Sequence, residues 1–80
     1  MAAIEQALSA GRAVRFQYVA GSSDKFWEVQ VKGSTYKASW GRRSGRAPQS
    51  GAWKQSSKSA ALTKAMKKVR EKLNKGYKRA

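Results

Sequence analysis

From Trp27 to Trp40, apolar and polar residues alternate on both sides of Gly33-Ser34, and this stretch restricts the fold more than any other. Two-residue hairpin loops favour glycine at their first central position, where φ is positive. With Gly33-Ser34 as the loop, Lys32 faces Thr35, Val31 faces Tyr36, Val29 faces Ala38 and Trp27 faces Trp40. Glu28 then faces Ser39, and Gln30 faces Lys37. The apolar residues fall on one side of the ribbon and the polar ones on the other, a sorting that a one-residue slip would destroy. The pattern predicts strands over 25–32 and 34–41, with Trp27, Val29, Val31, Tyr36 and Ala38 turned toward a helix stripe. Phe26 is the exception, an aromatic on the polar side.

The flanking segments extend this ribbon into a domain. Val14, Phe16 and Tyr18 alternate with Arg15 and Gln17 and predict an earlier strand, joined to the hairpin through Gly21-Ser22-Ser23-Asp24. Ahead of it, Ile4, Ala7 and Leu8 share one face of a short helix within residues 2–10, which Gly11 would end. Residues 41–52 hold three glycines, the only proline and three arginines, and read as a long exposed loop. Trp53, Lys54 and Gln55 could add a short fourth strand. Ser57 is the expected N-cap of a last helix, whose Leu62, Met66, Val69 and Leu73 recur at helical spacing with Ala61 and Ala65 beside them, and whose end is Gly76. The expected fold class is α+β: an antiparallel sheet of about four strands with one C-terminal amphipathic helix on one face. Eighty residues suffice for one such domain, over 12–80, with residues 1–11 as an N-terminal extension.

Charge points to the partner. Eighteen Lys and Arg against four Asp and Glu give +14, of which residues 41–80 carry +12 (13 minus 1). So lopsided a field calls for a polyanion, with nucleic acid first and an acidic membrane or protein after it. Catalysis has little to work with. There is no His and no Cys, which excludes imidazole, thiolate and zinc-finger chemistry, and the carboxylates Glu5, Asp24, Glu28 and Glu71, scattered among cations, are a poor basis for an acid/base pair or a magnesium cage. A non-enzyme without cofactor or metal is expected. No apolar run reaches the roughly 20 residues of a membrane span, and the N-terminus lacks the pattern of a signal peptide. The expectation is a cytoplasmic monomer with no membrane partner, able to associate with the nucleoid.

Trp40-Gly41-Arg42 at a strand end resembles the signature of the WGR domain. The likeness extends upstream to Asp24-Lys25-Phe26-Trp27-Glu28 and downstream to a helix closing in Glu71-Lys72-Leu73-Asn74-Lys75-Gly76-Tyr77, so that it covers roughly residues 14–77. That family occurs in poly(ADP-ribose) polymerases and in bacterial proteins. The resemblance implies a sheet crossed by a C-terminal helix and a role in recognising DNA ends, with the tripeptide tryptophan against the terminal sugar and basic residues on phosphates. Carried over, those roles fall on Trp40, Arg42 and Lys25. The chain departs from the family where Arg43 and Ser44 replace the usual aliphatic residue and glycine, and where Gln55 stands in place of an aromatic, a place that Trp53 could fill.

The nucleic-acid-binding candidates are thus Lys25, Trp40, Arg42, Arg43, Arg46, Trp53 and Lys54. Arginine forks bind phosphate bidentately and stack on bases, and tryptophan offers a stacking face. Each has a plainer alternative: Trp40 continues the apolar alternation and is equally a core residue, Arg42 can snorkel over the sheet, and the arginine loop can be merely solvated. The helix lysines read as a solvated face, and Tyr77 as packed on the last helical turn. Two functions remain: a nucleic-acid module binding DNA ahead of RNA through backbone or ends, and a docking module that braces or recruits a partner protein.

Overall fold

The computed structural model describes residues 2–43 and 48–80. Their order is α1 (Ala2–Ser9), β1 (Val14–Ala20), β2 (Ser23–Lys32), β3 (Thr35–Arg42), β4 (Gln49–Lys54), α2 (Lys58–Asn74) and β5 (Lys78–Arg79). The described strands form one antiparallel sheet in the order β4-β3-β2-β1-β5. The central hairpin has the register that its alternation dictates, from Lys32 opposite Thr35 to Trp27 opposite Trp40, and Gly33 turns it at φ +56°. The α+β class holds. The sheet nevertheless has five strands, because Lys78 and Arg79 return along β1 opposite Gln17 and Phe16. Two adjacent cations carry no strand pattern, which is why this edge was not expected.

The long loop expected over 41–52 is much shorter. β3 runs on through Gly41 and Arg42, which pair with Phe26 and Lys25, and β4 begins at Gln49. Backbone pairing with β3 outweighs the turn-rich composition of Gln49-Ser50-Gly51.

Both helices cover the same face. α1 contributes Ile4 and Leu8 to the core cluster that holds Val14, Phe16, Trp27, Val29, Val31, Tyr36 and Ala38. The expected stripe of α2 faces the sheet, though its members are unequally covered. Ala61, Ala65, Met66 and Val69 are buried, whereas Leu62 and Leu73 are only half-buried at its margins. The two fully buried alanines present only methyl groups to the sheet, so small side chains separate the two layers there.

Capping fixes where α2 starts and stops. The Ser57 hydroxyl accepts the Ala60 N–H at 3.1 Å. At the other end Gly76 adopts φ +103°, its N–H donates to Leu73 and that of Tyr77 to Lys72, a Schellman closure. The closure drops the Tyr77 ring onto Tyr18, with centroids 5.4 Å apart. On the other face of the sheet Phe26 is buried all the same, beneath the Arg15 guanidinium 4.5 Å above its ring and opposite Gly41. No helix among the described residues is long and apolar enough to cross a membrane.

Candidate nucleic-acid interface

Three cross-strand rows of the helix-side face build the site. They run Trp27-Trp40-Gln49, Val29-Ala38-Gly51 and Val31-Tyr36-Trp53. The middle row ends in two small residues, and the Trp53 indole fills the space that they leave. It lies back over Gly51 so closely that a Cβ there would come within 2.8 Å of Cη2. So placed, the indole stacks on Tyr36 at 5.0 Å and 24°, and on Trp40 at 6.5 Å and 19°. The Trp40 Nε1–H donates to the Gln49 Oε1 at 2.9 Å, which fixes the plane of its ring. The result is a ladder of three rings on the β3–β4 edge, with Trp53 still 41% exposed.

Across from this ladder stands α2. Between them runs a groove of about 560 Å³, floored by Trp27, Tyr36 and Ala38 and walled by Trp40 and Trp53 on one side and by Lys68 and Lys72 on the other. Lys25 and Arg42, an opposed pair on β2 and β3, stand at its end beside Tyr77. Four cations therefore meet over an aromatic floor, and no carboxylate belongs to the lining. The Lys72 Nζ lies 5.7 Å from the Trp27 centroid and 5.3 Å from that of Tyr77. Burial, then the charges of Lys75 and Lys25, hold its ammonium below the usual lysine range. A partly desolvated cation among like charges gains from an arriving anion. Burial, with Tyr18 beside it, raises the Tyr77 phenol.

Lys25, Trp40, Arg42 and Trp53 are thus brought together. Trp40 is half-buried against the core and also lines the groove. Arg43 is not among the lining residues; its Nη1 lies 3.3 Å from the Asp24 carboxylate and its backbone N–H donates to the Asp24 carbonyl. Lys54 follows Trp53 by one residue, so the strand pleat turns it to the opposite face, in register with Thr35. Arg46 lies outside the described residues. Lys68 and Lys72 line the groove although the helix lysines read as a solvated face. Their spacing of four, continuing to Lys64, was the available signal, since it sets the three on one edge of α2.

The fold is similar to that of a protein from Bacteroides fragilis known from a crystal structure. The two are 29% identical with a TM-score of 0.80, over 85% of this chain and 19% of that one. This chain therefore spans about a fifth of the length of that protein. Comparison with curated proteins found no match. The family model of the WGR domain matches residues 12–80, which takes in every strand, α2 and the groove. The chain belongs to the WGR domain family.

Proposed function

We propose that this WGR domain is a non-catalytic nucleic-acid-binding module that holds DNA, at its ends or along its backbone, in the groove between α2 and the β3–β4 ladder. The observation that carries the reading is the meeting of Lys25, Arg42, Lys68 and Lys72 over aromatic rings without a lining carboxylate. The cations take phosphates and carry no sequence information, whereas the Trp40 ring face takes a terminal sugar or base. The test compares a short duplex with free ends against covalently closed circular DNA. Trp40→Ala should weaken the open duplex by about 1 to 3 kcal/mol and the circle far less, the range for a lost stacking contact. Lys68→Gln with Lys72→Gln should weaken both alike. Because Trp40 also packs on the core, its variant is first checked for a normal unfolding transition. A folded Trp40→Ala protein that binds both substrates as the parent does removes the end-reading role.

A second reading, docking to a partner protein, is favoured by one observation: the similar segment in the Bacteroides fragilis protein is a small part of a longer chain. Binding insensitive to salt would promote it over the first.

A further inference from the structure

The groove does not stop at Trp53. A second hollow of about 300 Å³ continues it along α2, lined by Gln55, Lys64, Lys67 and Glu71 and sharing Tyr36, Trp53 and Lys68 with the first. Trp53 is therefore the saddle of one trough. One long side carries Trp53 and Trp40 above the buried Tyr36 ring, and the other the row Lys64, Lys68 and Lys72. Successive members of that row are four residues apart, about 6 Å along the helix, so the cations span about 12 Å.

We propose that this trough holds a short single-stranded DNA tail beside the duplex end, with unpaired bases on the ring ladder and tail phosphates on the lysine row. The inference rests on the nucleic-acid reading of the groove and names what occupies its extension. Ring chemistry selects the ligand. Bases inside a duplex are already stacked on one another, so only an unpaired base is free to pack on the part of the Trp53 indole that Tyr36 and Trp40 leave exposed. Charge selects it as well, because a polyanion with a charge at every unit fits cations placed at regular steps along one wall. The ladder reads no sequence, since every base has a π face. Glu71 is the one carboxylate in the second hollow. It lies 3.8 Å from the Lys68 ammonium and tempers the field there.

The experiment measures the full chain against a labelled blunt duplex, the same duplex with a single-stranded tail of about four nucleotides, the lower end of single-strand site sizes, and that tail built from abasic units. The readout is the ratio of blunt to tailed Kd, from which a uniform loss of charge or folding cancels. The parent should prefer the tail by about tenfold, and the abasic tail should lose most of that preference. Trp53→Ala and Lys64→Gln should each bring the ratio toward one, and Glu71→Gln should raise it. A parent ratio of one, with the blunt duplex still bound, overturns the tail site alone. A preference that survives Trp53→Ala or the abasic tail places the tail elsewhere and also overturns it. Failure to bind any of the three DNAs overturns the nucleic-acid reading itself.

Discussion

Gly51→Ala tests the architecture of the ring ladder, because one methyl group acts there in two opposed ways. Gly51 lies in β4 without a positive φ, so its backbone accepts alanine. In an open strand position the change stabilises by about 0.5 to 1 kcal/mol through chain entropy. Here, however, the new Cβ would stand 2.8 Å from Cη2 and 2.9 Å from Cζ2 of Trp53, inside any real contact distance. The indole must lift, which disturbs its stacking on Tyr36 and on Trp40. Each aromatic pair is worth about 0.5 to 1.5 kcal/mol, so losing both costs about 1 to 3. The difference is a net destabilisation between about zero and 2.5 kcal/mol. In the Trp53→Ala background the methyl meets no ring, and the same Gly51→Ala change should stabilise by about 0.5 to 1 kcal/mol. Urea unfolding followed by far-ultraviolet circular dichroism in the four proteins of this cycle reads the coupling directly. The reasoning fails if Gly51→Ala shifts the midpoint equally and in the same direction in both backgrounds.

Other expectations follow from the core, the groove and its charges. Leu8 is fully buried although it lies outside the residues matched by the family, so Leu8→Ala should cost about 2 to 5 kcal/mol and lower Tm by about 10 °C or more; a change under 2 °C would mean that α1 does not dock. Lys72 has a folded pKa below the ordinary 10.5, so its charged form is penalised at neutral pH, and stability should rise as pH climbs through the lowered value toward 10.5. Its side-chain NMR titration should show a midpoint below 10.5 that moves up when DNA is bound, and a midpoint at or above 10.5 in the free protein contradicts the burial argument. With about 4 to 6 phosphates neutralised, log K against log salt on duplex DNA should slope at about −4 to −5, and a slope near zero would leave the charge a solubility device.

How far the sequence reached depends on the kind of information each element carries. The β2–β3 register was legible because alternation and a glycine-led loop specify it twice over, and the two constraints agree from Lys32 to Trp27. The start and end of α2 were equally plain in Ser57 and Gly76, whose roles are local. β4 was obscured because Gln49-Ser50-Gly51-Ala52 has no apolar alternation, and only the neighbouring β3 edge makes it a strand. The stripe of α2 was legible in its spacing, Ala61 and Ala65 included, but that the alanines lie deepest and the leucines at the margins depends on how the helix crosses the sheet, which no local pattern states. Lys68 and Lys72 illustrate the same limit in the candidate site. A solvated lysine face and a groove wall have one sequence pattern, and the crossing of helix over sheet decides between them.

The gathering of every tryptophan into one place has an optical consequence. Trp27, Trp40 and Trp53 are the only indoles of the chain, and all three line the groove. Tryptophan emission therefore originates in that groove, on the face of the sheet opposite to the one where Lys32, Lys37 and Lys54 point. The near-parallel Trp40 and Trp53 rings, 6.5 Å apart, are also close enough for their electronic transitions to couple, so any ligand that shifted one ring against the other would alter the spectrum as well as the brightness. For a protein of charge +14, which attracts any polyanion, a ligand seated in the groove should therefore change tryptophan emission more than one adhering to the opposite face.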